Sequence, residues 1–203
     1  MQNQKQNKLI DLFPPELRTA SVVNRWSIVW TLTHDNIAQH SFYVTFYSSQ
    51  LADLLRWTGP LSSLMYIALT HDLEEVSIGD LVSPVKNEII DRKRYNDFVD
   101  LKMRERLPGV MNKLDDIAER VTNWEDDIDA IITVADRLDA LLFLIGERRM
   151  GNGVVAPRIP SALTRLEAAW YELPADKDRL GLLWNTVMIP AIKAHEDQGG
   201  NGV

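Results

Sequence analysis

The chain has 203 residues, 45% of them hydrophobic and 25% charged, and its formal net charge is −7 at pH 7. This composition predicts one globular domain with a sizeable core, and so acidic a chain is not expected to bind nucleic-acid polymers, which attract clustered Lys and Arg. The absence of cysteine excludes disulfides, cysteine-ligated zinc and thiol catalysis. The N-terminus lacks the apolar core of a signal peptide, and no apolar run approaches the length of a membrane span. We therefore expect a cytoplasmic protein without membrane contact.

The first forty residues predict a short helix followed by an extended loop. Residues 1–20 are polar and then amphipathic, and a proline pair within them suits the first turn of a short helix. Residues 21–40 are rich in Val, Ile and Trp without clean alternation, which favours a helix end running into a loop over a strand. Trp26 in this segment is interpreted as a core residue. Arg25 is either a surface arginine or a functional one.

A long helix is predicted over residues 37–57. Asn36 is its expected N-cap, with a glutamine three residues on at the spacing of a capping box. Phe42 and Phe46 are among the apolar residues that predict a mostly buried helix, which a Gly-Pro pair would close. His40 lies in its first turn, where a lone histidine is more often a packed or surface residue than a ligand.

The next helix is predicted over residues 61–76 and ends in a group of polar side chains. His71 and Asp72 stand side by side near its end, and Glu75 follows within one turn. Adjacent helical residues point about 100° apart, so this pair converges on one point only from the side or end of a helix. A buried carboxylate beside an imidazole requires a cation, and a metal ion is one such partner. The following loop, residues 79–86, holds Asp80, Pro84 and Lys86.

Five further helices are predicted in the second half of the chain. They cover residues 87–106, 110–122, 126–146, 161–172 and 176–195, with a Gly/Pro loop at 147–160. The first is highly charged, and its mixed signs are typical of a solvated face. The third is the most apolar, yet Asp136 lies on or beside its buried face, where an acid usually has a partner. Asp139, one turn on, would be a companion or supporting group, and a salt bridge to an arginine is the alternative to a metal.

Together these elements predict an all-α fold, a single domain of six to eight helices without internal repeats. We expect an N-terminal extension at residues 1–20, the domain at residues 21–195 and a disordered tail at residues 196–203. Two imidazoles and two carboxylates from three different helices form a candidate metal site: His40, His71, Asp72 and Asp136. This donor set suits zinc, cobalt, manganese or iron, with positions left open for water and substrate.

The order of these residues resembles that of the HD-domain phosphohydrolases. It is most similar to the branch that contains bacterial 5'-deoxynucleotidases and the phage dATP triphosphohydrolases of the DatZ type. The resemblance covers roughly residues 20–170 and implies an HD-domain helical bundle. The matching segments are Asn24-Arg25-Trp26, Gln39-His40-Ser41, His71-Asp72-x-x-Glu75-Val76, Gly79-Asp80-Leu81, Pro84-Val85-Lys86, Ala135-Asp136-x-Leu138-Asp139-Ala140 and Gly151-Asn152.

The resemblance implies a role for each matching position. The metal ligands would be His40, His71, Asp72 and Asp136, binding zinc, cobalt or manganese, with additional magnesium as an option. Glu75 would position or deprotonate the attacking water, which makes it a catalytic residue together with Arg25 and Asp80. Three charged residues and one aromatic residue would contact the substrate. Arg25 and Lys86 would neutralise phosphate oxygens, Asp80 would contact the sugar or assist proton transfer, and Trp26 would pack on the sugar and exclude a 2'-hydroxyl.

The family offers two reactions. A 5'-deoxynucleotidase removes the phosphate of a deoxynucleoside monophosphate, whereas a triphosphohydrolase releases intact triphosphate from a dNTP. Ile28 and Pro84 resemble the apolar wall that the dATP-specific phage enzymes place against adenine, and Ser27 stands where the deoxynucleotidase branch has a proline. Cations at residues 92–94 would help to hold a triphosphate, or they form a solvated helix face. These features favour dATP triphosphohydrolysis by a phage protein, with the 5'-deoxynucleotidase as the alternative.

Two hypotheses lie outside this enzyme class. One is an inactive HD-like module that senses a nucleotide, and the other is a helical scaffold whose His and Asp form buried salt bridges. The complete set of four ligands together with Glu75 argues against loss of activity. The expected partner is a small deoxynucleotide, and a homo-oligomer is implied by the resemblance. If the protein is phage-encoded, it would act in the host cytoplasm.

Overall fold

The computed structural model describes residues 14–79 and 91–197, which are mainly helical and contain no β-strand. The predicted all-α fold is confirmed. The α-helices are α1 Ile37–Leu55, α2 Leu61–Thr70, α3 Glu75–Ile78, α4 Arg92–Arg106, α5 Pro108–Val121, α6 Glu125–Arg149, α7 Ile159–Trp170, α8 Lys177–Leu183 and α9 Ile189–Asp197. Two 3-10 helices, Pro15–Ser21 and Gly153–Arg158, and a π-helical turn, Trp184–Met188, complete the described elements.

Local sequence signals begin several of these helices. Asn36 caps α1 as predicted, because its side-chain oxygen accepts the backbone N–H of Gln39 at 3.0 Å. Asp91 caps α4 in the same way and accepts two backbone N–H groups. α6 begins with three acidic residues in its first turn and ends with two arginines, the arrangement that the helix dipole favours at each end.

The end and one face of α1 differ from the prediction. The helix ends at Leu55, before the Gly-Pro pair, because Arg56 adopts a left-handed backbone with φ 54°. Phe42 and Phe46 were predicted to be mostly buried, but they are 62% and 51% exposed. They lie one turn apart on a side of the helix that no other described element covers, whereas Val44 is completely buried.

α6 is the central helix and packs against α1 and α7. It continues to Arg149, beyond its predicted end, so the predicted loop at 147–160 is reduced to a turn and a 3-10 helix. The helix predicted over residues 176–195 consists of α8 and α9 joined by the π-helical turn. None of the helices in the described ranges is both long and apolar enough to cross a membrane.

Buried apolar side chains form two clusters, and the turn between α2 and α3 lies where they meet. The larger cluster joins α1, α2 and α5 to α9. The smaller cluster contains Ala20, Ile37, Leu73, Val76, Met103, Leu107 and Val110. Ala68, near the end of α2, belongs to the larger cluster, and Leu73 belongs to the smaller one. The chain between them is therefore anchored on both sides.

Residues 24–36 form a loop with closed ends, which we call the site loop. An isolated β-bridge joins Asn24 to Asn36, and the backbone N–H of Arg25 donates to the carbonyl of Asp35 at 3.0 Å. A loop of this length whose ends meet is an Ω-loop, a form often used for function. The closed base places the first residues of the site loop directly beside the start of α1.

Glu147 fastens the site loop to the end of α6. Its completely buried carboxylate accepts the N–H groups of Leu32 at 2.6 Å and Thr33 at 2.8 Å, the Thr33 hydroxyl at 2.5 Å and the Asn152 amide at 2.7 Å. The same amide donates to the carbonyl of Trp30 at 2.9 Å. Burial alone would raise the pKa of Glu147, but these hydrogen bonds hold it below its usual range.

We expect Glu147→Gln to lower the free energy of unfolding by about 1–3 kcal/mol, because an amide nitrogen would face donors that now meet a carboxylate oxygen. The pKa of Glu147 is lower in the folded protein than in the unfolded chain. Its contribution is therefore present above the unfolded-state pKa and is lost as pH falls through the folded-state pKa. Urea unfolding followed by circular dichroism should show a gap between wild type and variant at neutral pH that shrinks in acid.

The matched control is Glu119→Gln on α5, where the side chain is exposed. This change is expected to alter the free energy of unfolding by less than about 0.5 kcal/mol. Equal stability of Glu147→Gln and wild type at neutral pH would contradict the fastening role of Glu147.

Candidate metal centre

His71 and Asp72 lie in a tight turn, and the continuous helix predicted over residues 61–76 is wrong. α2 ends at Thr70, whose hydroxyl donates to the carbonyl of Tyr66 at 2.9 Å. A side chain that bonds to the backbone in this way weakens the continuation of a helix. Backbone hydrogen bonds of 3.0 and 3.1 Å within the turn then carry the chain into α3.

This turn brings His71 and Asp72 to His40 in the first turn of α1. Nε2 of His40 lies 3.2 Å from Nε2 of His71 and 3.4 Å from Oδ2 of Asp72. Nε2 of His71 lies 3.5 Å from the same oxygen of Asp72. Asp136 on α6 reaches the group as well, with Oδ1 at 3.2 Å from Nε2 of His40. His40, His71 and Asp72 therefore form one compact group, and Asp136 joins it through its contact with His40.

The separations between these atoms fit a metal ion. Nitrogen and oxygen ligands lie about 2.0–2.1 Å from zinc, so two ligands at a tetrahedral angle are about 3.3–3.4 Å apart. The observed separations of 3.2–3.5 Å match this distance. The group of two imidazoles and a carboxylate, His40, His71 and Asp72, is compact enough for its ligand atoms to share one ion. Zinc, cobalt and manganese all accept such donors.

Both histidines are oriented by a contact at their other ring nitrogen. Nδ1 of His40 lies 2.7 Å from Oδ2 of Asp139, and Nδ1 of His71 lies 2.8 Å from the carbonyl oxygen of Ala68. Carboxylate and carbonyl oxygens accept hydrogen bonds, so we assign the proton to Nδ1 in each ring. Nε2 is then the nitrogen that faces the other ligands, as in the carboxylate–histidine–metal arrangement.

Arg25 places a positive charge beside the carboxylates of this group. Its Nη1 lies 3.2 Å from Asp35 and 3.3 Å from Asp139, and its Nη2 lies 3.6 Å from Asp136. Nη1 also lies 2.5 Å from Nδ1 of His40; because Nδ1 carries the proton that faces Asp139, this is a contact between two donors and not a hydrogen bond. The side chain is only 15% exposed, which excludes the surface arginine considered from the sequence. Arg25 therefore offsets part of the charge of three acids.

The carboxylates around His40 favour a positive charge on its ring. Burial alone would lower the pKa of His40, but hydrogen bonds to Asp136, Asp139 and Asp72 raise it to about 10. Burial likewise disfavours ionisation of Asp72 and Asp136, yet hydrogen bonding to His40 and the nearby charges hold the pKa of both acids below the usual range. Both acids are thus ionised at neutral pH, and a divalent ion would take the place of the proton on His40.

Asp35 is a residue of this site that the sequence analysis did not identify. Its carboxylate is 8% exposed, and Oδ2 accepts from Nη1 of Arg25 at 3.2 Å and from Nε1 of Trp26 at 3.1 Å. Burial raises the pKa of Asp35, and the charge of Arg25 opposes that rise. One signal was available, because residues 33–35 repeat the Thr-His-Asp triplet of residues 70–72.

The other predicted site residues are placed differently. Trp26 was interpreted as a core residue, but it is only half-buried, and its ring stacks on Phe143 with centroids 5.2 Å apart. Ile28 is 65% exposed in the site loop. Glu75 is 4% exposed at the start of α3, one turn beyond the ligand pair. Three predicted residues lie outside the described part of the chain: Asp80, Pro84 and Lys86.

Comparison with protein families matches residues 5–173 to the family described as 5'-deoxynucleotidase YfbR-like. The 5'-deoxynucleotidase YfbR of Photorhabdus temperata is 29% identical over 149 residues, which cover 69% of this chain and 75% of that protein. The 5'-deoxynucleotidase YfbR of Salmonella arizonae is 28% identical over 164 residues, which cover 76% of this chain and 80% of that protein. The family match includes every ligand of the candidate metal centre.

Solved structures have the same fold at lower identity. The cyanophage S-2L HD phosphohydrolase DatZ, bound to dA and one catalytic Zn²⁺ ion, matches with a TM-score of 0.63 at 20% identity, over 89% of this chain and 96% of that chain. The PH0347 protein from Pyrococcus horikoshii matches with a TM-score of 0.62 at 19% identity, over 89% and 95%. These likenesses confirm the predicted HD-domain helical bundle.

We expect Asp139→Asn to weaken Co²⁺ or Zn²⁺ binding about 10- to 100-fold, because His40 would lose the carboxylate that orients its ring. Isothermal titration calorimetry with each ion measures the effect, and circular dichroism verifies that the helices remain. Asp127→Asn, on the first turn of the same helix, is the control and should bind with wild-type affinity. Unchanged affinity in Asp139→Asn would show that His40 does not depend on Asp139.

Proposed function

The chain belongs to the YfbR-like family of HD-domain phosphohydrolases, and we propose that it is a 5'-deoxynucleotidase that releases orthophosphate from 2'-deoxynucleoside monophosphates. The observation that carries this proposal is the family match over residues 5–173, with relatives named 5'-deoxynucleotidase that align with more than two thirds of the chain. The sequence alone favoured dATP triphosphohydrolysis. The comparisons support the alternative reaction better.

The proposed ligands of the ion are His40, His71, Asp72 and Asp136, of which the first three form the compact group. A bound divalent ion supplies Lewis-acid stabilisation of the charge on the phosphoryl oxygens. The two imidazole rings are already oriented for metal binding, because Asp139 and the carbonyl of Ala68 fix them. Little reorganisation is then required when substrate arrives. Zinc is supported by the ion of the DatZ structure, and cobalt and manganese by the donor set.

Arg25 and Glu75 are the residues proposed to act on the phosphate and the water. The Nη2 of Arg25 lies 3.6 Å from Asp136, longer than a hydrogen bond, so this end of the guanidinium retains donor capacity for a phosphate oxygen. Glu75 is buried three residues after Asp72, and it is proposed from the family resemblance to accept a proton from the attacking water. Lys86 is proposed as a second phosphate contact on the strength of the family resemblance.

The sugar and base contacts are proposed from the resemblance and from the position of the site loop. Trp26 would pack against the deoxyribose and leave no room for a 2'-hydroxyl. Asp80 would contact the sugar or assist proton transfer. Ile28 and Pro84 would flank the base, and the exposed position of Ile28 leaves its side chain accessible to a ligand.

A second candidate is the dATP triphosphohydrolase activity that the sequence favoured. The structural likeness to DatZ, which binds dA, is the observation in its favour. A triphosphate requires several cations, and within the described ranges Arg25 is the cation placed at the ligand group. Arg94 is exposed on α4 and lies 3.9 Å from Asp91, as expected for a solvated face. The charge near the described site therefore suits one phosphate better than three.

The non-catalytic alternatives receive less support. A nucleotide-sensing module or a scaffold of buried ion pairs would not require both imidazoles to present Nε2 toward two ionised carboxylates. Without an ion, the two Nε2 atoms 3.2 Å apart and the ionised carboxylates are held together by a proton on His40, and a divalent ion would replace that proton. The ligand geometry therefore favours a working metal centre. The cytoplasmic location and the phage origin stay predictions.

We expect protein supplied with Co²⁺ or Mn²⁺ to release orthophosphate from dAMP and to act much more slowly on AMP. Ion chromatography of reactions with dAMP, dATP, dGTP and AMP identifies the released anion. Asp72→Ala should lower the rate at least about 100-fold while the helical signal persists, because one ligand is lost. Triphosphate released from dATP, with no orthophosphate from dAMP, would refute the proposal in favour of the second candidate.

We also propose a homo-oligomer, since Phe42, Tyr43 and Phe46 expose a contiguous aromatic surface on α1. Exposed patches of this kind often mark protein contacts. Light scattering should give wild-type protein a mass above that of one chain, and Phe46→Glu should shift the mass toward the monomer. Lys193→Glu is the control, because it also adds an acid but lies on α9, far from α1 in the sequence. It should keep the wild-type mass. A monomeric wild-type protein would contradict the proposal.

A further inference from the structure

We propose that Asp35 is a positioning residue that sets the sugar preference of the site by holding Arg25 and Trp26 in one fixed arrangement. The inference rests on the proposed function, in which Arg25 meets the phosphate and Trp26 meets the sugar. Asp35 itself is buried and touches neither part of the substrate. Its effect would be exerted through the two side chains that it holds.

A single oxygen of Asp35 binds both side chains. Oδ2 accepts from Nη1 of Arg25 at 3.2 Å and from Nε1 of Trp26 at 3.1 Å. The backbone carbonyl of Asp35 also accepts the N–H of Arg25 at 3.0 Å, so the two segments are joined at both backbone and side chain. One buried acceptor thus links the guanidinium to the indole, in addition to the direct approach of the guanidinium to the ring, 5.9 Å from its centroid.

The backbone of Trp26 explains why this acceptor is required. Trp26 has φ 62°, a left-handed conformation that is unfavourable for a bulky residue and persists only where the surroundings impose it. The backbone N–H of Val29 donates to the carbonyl of Trp26 at 2.8 Å, and the side chain is held by the stack on Phe143 and the hydrogen bond to Asp35. Without Asp35 the indole N–H loses its acceptor, and we expect the ring to shift from its place beside Arg25.

The same guanidinium connects the indole to the metal centre. Arg25 Nη1 contacts Asp35 on one side and Asp139 on the other, at 3.2 and 3.3 Å. Asp139 in turn contacts Nδ1 of His40 at 2.7 Å. This sequence of contacts fixes the distance between the sugar-binding surface and the metal ligands. Loss of Asp35 removes its contacts to Arg25 and Trp26 and leaves the Asp139–His40 contact intact.

Two variants and one control separate this role from general stability. Asp35→Ala removes the shared acceptor, whereas Asp35→Asn keeps one oxygen in place to accept from both donors. Asp127→Ala is the matched control, since Asp127 accepts an indole N–H from Trp57 at 3.0 Å. Asp127 precedes Asp136 by nine residues on α6, about 14 Å along the helix axis. Its loss removes the same kind of bond away from the site.

The measurement is the ratio of kcat/KM for dAMP to that for AMP, together with the thermal unfolding midpoint and the Co²⁺ affinity of each variant. Asp35→Ala should lower the ratio about tenfold, which corresponds to the loss of the buried hydrogen bond to the Trp26 indole. The variant should retain its Co²⁺ affinity. Asp35→Asn should recover most of the ratio, and Asp127→Ala should keep the wild-type ratio. If Asp35→Ala does not fold, Asp35→Leu replaces it, because it fills the volume of the carboxylate but accepts no hydrogen bond.

The outcomes are distinct. An active Asp35→Ala or Asp35→Leu protein with the wild-type ratio would overturn the inference and leave the proposed function standing. Wild-type protein that releases no orthophosphate from dAMP would refute the proposed function, and the inference with it. A lower ratio that Asp35→Asn restores would support the positioning role.

Discussion

Three carboxylates and a second imidazole surround the ring of His40, which has no exposed surface. Ionised carboxylates removed from water cost several kcal/mol each unless a positive charge offsets them. Arg25 supplies one such charge, and it already contacts Asp35, Asp136 and Asp139. The proton on His40 supplies another, and a divalent ion would replace that proton. These acids and the positive charges beside them therefore form one electrostatic unit, and the arrangement of the side chains depends on the balance of charge within it.

The helices serve this unit by bringing distant residues to fixed positions. α1 contributes one imidazole, the turn after α2 contributes the second with a carboxylate, and α6 contributes two further acids. The turn is held because it connects two hydrophobic clusters, and the site loop is held because Glu147 and Asp35 fasten it at two places. The phosphate and sugar contacts proposed for the site loop therefore have rigid support.

The sequence could predict the parts of this arrangement that depend on local signals. Residue identity and spacing predict the N-cap at Asn36 and the four candidate ligand residues, two histidines and two aspartates. The break at residues 71–74 was not predicted, because the apolar run of residues 61–69 favours a helix that continues, whereas in the fold the Thr70 hydroxyl bonds back to Tyr66 and Leu73 packs in a cluster assembled from distant segments. The partnership of Asp35 with Arg25 was missed for a similar reason, since only the closed base of the site loop brings them together. Tertiary contacts overrode local preference in both places.

Four side chains from three parts of the chain are proposed to bind one metal ion. Crystals grown with Zn²⁺ and measured at the zinc absorption edge test it directly through the anomalous difference density. We predict a single strong peak about 2.0–2.2 Å from Nε2 of His40, Nε2 of His71 and the carboxylates of Asp72 and Asp136. A peak only at exposed acids elsewhere, or no peak among these four side chains, would contradict the account.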